Sequence, residues 1–307
     1  MAVDTWMKQI PGSESWQEIT EIVYGWSGER KYRIRSAAGE ELLLRVAQGE
    51  AYPKMCAVHR AMQSVNDLHI RASRAIACGR TEQHAWALLT YIAGSDAEKG
   101  LPGLPQSEQY RLGFETGCML RRIHSIPAPE DRPSWEEHFN AKIDRKRSRW
   151  QESGCRMEGS ELAFAYIDSH RHLLCGRPQS LQHGDYHCGN MVLTPDGGIG
   201  VIDFNRLDWG DPWEEFNRII WDVRVSPAFA SGRVDGYFAP QEPPELFWQL
   251  LALYVTNDQI SALPWALAFN EREAAIATQN FKAVLSWYDG FCTVRPSWYQ
   301  RGSLPER

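Results

Sequence analysis

The chain has 307 residues, 43% of them hydrophobic and 23% charged, so it can bury a substantial core in one large domain or two lobes. A net charge of -6 with a pI near 5.9 argues against nucleic acid or an anionic membrane as main partner and leaves room for a cationic substrate. Seven scattered cysteines without paired spacing fit reduced thiols; with no secretory signal and no run near the roughly 20 apolar residues that cross a bilayer, a cytoplasmic protein is expected.

The first part reads as β-rich. WQEITEIVYGW leads through a short SGE turn to KYRIR, then through SAAGE to ELLLRVA. Tyr32 and Ile34 alternate with Lys31, Arg33 and Arg35, as in a half-buried strand, and Leu42, Leu43, Leu44 and Val46 form a more buried run. Residues 53–65 read as a helix with Met55, Val58 and Met62 on one face. The run at 85–94 reads as a strand ending at Gly94, and the Gly/Pro-rich GSDAEKGLPGLP marks a boundary between lobes 1–93 and 94–307. Helical patterns then dominate: 107–124, opened by Ser107 and with Pro127 beyond its end, then 134–151, 160–174, 212–223, 244–262 and 270–288. The basic run KIDRKRSRW at 142–150 reads as a solvated helix face. The predicted class is α+β, a small β-rich lobe before a larger, mostly helical one, with a cleft where a ligand binds.

HGDYHCGN, residues 183–190, admits three chemistries. On a strand, His183, Asp185 and His187 would face one way, as ligands of a metal-dependent hydrolase do. Cys188 beside a histidine suggests a nucleophile and its base, or else a small buried thiol. The third reading is a phosphotransferase loop, and the segment immediately downstream favours it. MVLTPDGGIGVIDF places a turn, Pro195-Asp196-Gly197-Gly198, between two apolar runs, the pattern of a β-hairpin. If Thr194 faces Ile199 across a four-residue loop, Asn190 faces Asp203, their Cβ atoms about 4.5–5.5 Å apart. An amide oxygen and a carboxylate would then meet at the mouth of the hairpin, a set suited to Mg²⁺ with phosphate and water completing its shell. Asp185 would take the proton of an acceptor hydroxyl, and phosphoryl transfer asks little more of a protein than positioning and charge neutralisation.

HGDYHCGN followed by IDF resembles the catalytic loop and metal motif of the aminoglycoside phosphotransferase family, relatives of choline kinase and, more remotely, of protein kinases. The resemblance implies a bilobal protein-kinase-like fold and an ATP-dependent O-phosphotransferase using ATP or GTP with Mg²⁺. It makes Asp185 the base, Asn190 and Asp203 the metal ligands, and His183 and His187 supports of the loop. WGDPWEEF resembles the family's G-D-P stretch, with Asp211 structural and Pro212 in the first helical turn. YGWSGERKYRI resembles the phosphate-covering turn, through Ser27 and Gly28. LLLRV puts Arg45 where the family has its strand-three lysine, as a planar fork rather than a point charge. LLTYIAG resembles the hinge, where backbone of Thr90 and Ile92 would meet the base. One departure stands out: residues 51–66 contain no carboxylate to pair with Arg45.

The acceptor would bind beside Asp185. Asp208, Glu214, Glu215, Asp222, Asp258, Glu271 and Glu273 would form an acidic wall for a polycationic aminoglycoside. Trp209, Trp213, Trp221, Phe247, Trp248, Tyr254 and Trp265 would equally suit a macrolide or another flat acceptor, and metabolite alcohols are a further class. A non-catalytic, kinase-like binding module is the remaining alternative.

Overall fold

The computed structural model describes residues 6–23 and 28–302. In chain order they form β1 (Trp16–Ile22), β2 (Arg30–Ser36), β3 (Glu41–Gln48), α1 (Tyr52–Asn66), β4 (Ala75–Arg80), β5 (His84–Thr90), β6 (Ser95–Asp96), α2 (Ala97–Gly100) and α3 (Gln106–Ile123). Then come α4 (Trp135–Glu152), α5 (Ser160–His170), β7 (Ser180–Gln182), β8 (Met191–Leu193), β9 (Ile199–Val201) and β10 (Asp208–Gly210). Four further helices, α6 (Ile219–Val225), α7 (Pro227–Phe238), α8 (Glu245–Leu267) and α9 (Glu271–Trp287), complete the order. This is the α+β class expected. No helix among the described residues is long and apolar enough to cross a membrane.

Two compact units divide the chain: residues 1–97 with 190–207, and residues 98–189 with 208–307. The expected cut between 93 and 94 would have put the β8–β9 hairpin in the second lobe, but its hydrogen bonds tie it to the first. β8 pairs with β6, Ser73 N–H donates to the Val201 carbonyl, and Val201 N–H donates to that of Arg71.

The first unit is built on an antiparallel sheet in the order β1-β2-β3-β5-β4. One face buries Ile19, Tyr32, Ile34, Leu42, Leu44, Val46, Trp86 and Leu88 with Met7 and Ile10 from the segment before β1. Each such aliphatic side chain contributes about 1.5–3 kcal/mol when fully buried. The other face carries Ala85 and Ala87, small enough for Met55 of α1 to pack on them. Arg45 shares that second face, opposite Ala87 on β5 and Lys31 on β2.

In the second unit α4 starts at a capping box, Ser134 with Glu137, each side chain bonded to the other's backbone N–H. α7 is absent from the sequence reading. Ser226 caps it and Pro227 opens it, yet Gly232 and Gly236 interrupt its helical pattern. Those glycines exist for α3: a Cβ at Gly232 would lie 2.1 Å from the Tyr110 carbonyl oxygen, and one at Gly117 of α3 would lie 2.1 Å from that of Arg233. The two helix backbones touch. Gly117→Ala, which on helix propensity alone would gain about 1 kcal/mol, is therefore expected to destabilise the protein by about 1–3 kcal/mol or more. Urea unfolding measures the sign, and a more stable variant would mean the helices part without cost.

Candidate active site

In the first unit the hairpin differs from the expected register by one residue. Met191 pairs with Val201 and Leu193 with Ile199, and Ile202 N–H donates to the Asn190 carbonyl at 3.0 Å. Asn190 therefore stands opposite Ile202, not Asp203. The cause is the turn: Thr194 and Gly198 close a three-residue loop in which Gly197 takes a left-handed φ of 78°. Asp196 Oδ1 accepts from Gly198 N–H and Arg71 Nη1 and fixes the loop from within. A one-residue slip would normally turn the side chain to the other face. Asp203 is itself left-handed, φ 65° and ψ 57°, so the chain leaves the ladder at this residue.

Two cations meet the Asp203 carboxylate. Lys31 Nζ lies 3.4 Å from Oδ2 and Arg45 Nη1 lies 4.0 Å from Oδ1. Oδ1 is buried and accepts no hydrogen bond from the described residues. A buried carboxylate oxygen without a donor is costly unless something positive fills the place, and a hard divalent cation fits it. An amide oxygen from Asn190 would add a second hard donor, and such a set would suit Mg²⁺ rather than zinc. No group of three or more His, Cys, Asp or Glu among the described residues could hold a metal alone.

Arg45 is buried, and it has a carboxylate after all. Its Nε donates to Glu29 Oε2 at 2.9 Å, and Nη2 contacts the same oxygen. Glu29 comes from the turn before β2, not from α1, which explains why the helix after β3 needs no acid. Lys31 escaped sequence reading because strict alternation put it with Arg33 and Arg35 on an outward face; its side chain is only 15% exposed. At the end of β5, Thr90 N–H donates to the Arg74 carbonyl, so this amide is not available to a nucleotide base. The Ile92 side chain lies against Gly200. Gly28 is exposed, whereas Ser27 lies outside the described residues.

In the second unit, residues 183–187 continue from β7 as a loop rather than a strand. Gly184 has φ 81°, and the alternation that would have aimed His183, Asp185 and His187 one way does not apply. The hydrolase reading loses its geometric basis. His183 is fully buried and its Nδ1 accepts from Asp185 N–H at 3.3 Å. His187 Nδ1 accepts from Gly189 N–H, and its Nε2 lies 3.7 Å from Asp185 Oδ1. Arg218 Nε lies 3.4 Å from the same Asp185 oxygen.

Three buried residues that sequence reasoning did not assign to it hold this loop. Glu215 accepts from the N–H groups of Gly184 and Tyr186. Burial alone would raise its pKa, but the contacts with His124, His183 and the Gly184 amide outweigh that and keep it below the usual carboxylate range. Asp222 accepts from Cys188 N–H at 2.7 Å, and Arg233 Nη1 bridges Asp222 and the Tyr186 carbonyl. Of the seven carboxylates expected to form an acidic wall, Glu214, Glu215 and Asp222 are buried, whereas Asp208 and Glu271 are exposed. Glu214 pairs with Lys142, Asp258 with Lys146 and Arg218, and Asp222 with Arg233. The same pairs turn Lys142 and Lys146 of the basic run inward from α4, against the expected solvated face.

Asp211 is also fully buried. It takes a bidentate pair from Arg177 and the Tyr254 hydroxyl, and caps Trp213 N–H. Phe247, Trp248 and Tyr254 belong to the core and wall no pocket, whereas Trp265 is exposed. Cys188 is buried and its thiol pKa is driven up, first by burial and then by Asp222, so it is no nucleophile.

A family model described as the phosphotransferase enzyme family matches residues 18–247. An aminoglycoside 3'-phosphotransferase of Escherichia coli is 24% identical over 47% of this chain and 54% of its own length. One from Salmonella typhimurium is 23% identical over 62% of this chain and 67% of its own. The matched segment thus spans about half of the first relative. A crystal structure of a thermostable mutant of an aminoglycoside phosphotransferase, in ternary complex with ADP and hygromycin B, superposes with a TM-score of 0.62 at 19% identity, over 89% of this chain and 94% of that one.

Proposed function

The chain belongs to the phosphotransferase enzyme family, and on that premise we propose that it transfers the γ-phosphoryl group of ATP or GTP to a hydroxyl of a small molecule. The observation that carries the reading is the held loop. Glu215, Asp222 and Arg233 fix the backbone of residues 184–188 from inside, while the Asp185 side chain stays one-fifth exposed. A carboxylate on a rigid loop, open to solvent, is positioned to orient an acceptor hydroxyl and take its proton. Arg218, 3.4 Å away, sets a positive charge beside it.

Asp203 and Asn190 are the residues proposed to hold Mg²⁺, which when bound neutralises charge on the phosphates. Arg45 and Lys31 add positive charge to the same unit. The base would meet the segment around Ile92, and Thr90 contributes at most its carbonyl.

For the acceptor, the aminoglycoside phosphotransferase relatives support an aminoglycoside hydroxyl as the first class to test. The electrostatic case for a polycation is weaker than the sequence suggests, because Glu214, Glu215 and Asp222 are buried and Asp258 is paired with Lys146 and Arg218. Metabolite alcohols and macrolides belong in the same panel. Acceptor-dependent release of ADP, measured across aminoglycosides, macrolides and metabolite alcohols, tests the proposal. Nucleotide binding without turnover on any acceptor would instead favour a non-catalytic binding module.

A further inference from the structure

Lys31 and Arg45 are direct cross-strand partners on β2 and β3. Two cations so placed repel unless carboxylates intervene, and here two do. Their engagements differ. Arg45 directs Nε and Nη2 at Glu29 and leaves only Nη1, 4.0 Å from Asp203 Oδ1, for anything else, with its side chain 7% exposed. Lys31 makes one long contact, 3.4 Å to Asp203 Oδ2. A guanidinium fork seated on a carboxylate gives up two hydrogen bonds to turn elsewhere, whereas a single ammonium on a flexible stem exchanges one oxygen for another at little cost.

We propose that Lys31, and not Arg45, is the residue that carries positive charge to the nucleotide's phosphates. Arg45 then anchors Glu29 and so fixes the chain entering β2, two residues ahead of Lys31. Lys31 waits on the Asp203 oxygen and exchanges it for a phosphate oxygen once nucleotide is bound. This inference rests on the phosphotransfer reading. It moves the phosphate contact from the third strand to the second, although the motif in the sequence points to the third.

Calorimetric titration with MgATP and, separately, with adenosine decides it. Lys31→Met is expected to weaken MgATP binding about tenfold or more and to leave adenosine binding unchanged, since adenosine has no phosphate. Acetylation of Lys31 by an N-hydroxysuccinimide ester, followed by mass spectrometry, gives a second readout without a substitution. MgATP should slow it and adenosine should not. If Lys31→Met binds MgATP as tightly as the wild type, or if acetylation is indifferent to MgATP, the assignment is overturned while the phosphotransfer reading stands. If the wild type itself binds no MgATP, both fall together.

Discussion

Asp185→Asn is expected to lower kcat by about 10²–10⁴-fold, the range a positioned general base contributes, and to leave nucleotide affinity within a factor of about two. The amide is nearly isosteric, so the loop should keep its shape: Glu215, Asp222 and Arg233 hold it through the backbone of Gly184, Cys188 and Tyr186. What the amide cannot do is take a proton, and it no longer attracts Arg218, 3.4 Å away. Steady-state ADP release with a productive acceptor, beside a nucleotide titration, separates the two effects. A kcat within a few-fold of wild type would remove Asp185 from the role of base.

The second large effect is on stability. Asp222 and Arg233 are both fully buried, and Arg233 Nη1 lies 2.5 Å from Asp222 Oδ2. Taking away one partner strands the other charge in a low-dielectric interior, which costs about 3–5 kcal/mol. Asp222→Ala also leaves Cys188 N–H without its acceptor, so the loss should sit at the upper end. Urea unfolding measures it. The double variant Asp222→Leu with Arg233→Met removes both charges together and is expected to recover much of that loss. A loss below about 1 kcal/mol for Asp222→Ala would mean that water reaches the pair.

These two residues show where sequence reading stopped. HGDYHCGN and IDF carried the chemistry because their spacing is local, and a helix such as α1 was legible from apolar periodicity. Asp222 lies 34 residues beyond Cys188 and Arg233 lies 47 beyond Tyr186, and nothing in the loop's own sequence points to either. A buried acid and a surface acid look alike in sequence, so counting carboxylates near Asp185 grouped Glu214, Glu215 and Asp222, which folding turned inward, with Asp208 and Glu271, which it left exposed. The missed α7 has the same origin, since glycines that break a local pattern were there to admit a neighbouring helix. β4 was missed for a like reason, with Gly79 packed under the Trp86 ring.

The hairpin gives the finer lesson. Its existence could be read from Pro195-Asp196-Gly197-Gly198, but its register turned on whether the loop holds three residues or four. Gly197 and Gly198 both suit a turn, and only the left-handed Gly197 with the Asp196 bonds decides for three. Asn190 and Asp203 therefore share the hairpin mouth without facing each other, and the left-handed turn at Asp203 brings its carboxylate to Lys31 and Arg45 instead.

Binding of ATP with Mg²⁺ present, and again with the metal chelated, bears most directly on whether this carboxylate serves a metal-bound triphosphate. We expect the wild type to bind ATP far more tightly with Mg²⁺ than without, and Asp203→Ala to have lost that difference. Equal binding by the wild type in both conditions, or an undiminished Mg²⁺ dependence in Asp203→Ala, would contradict it.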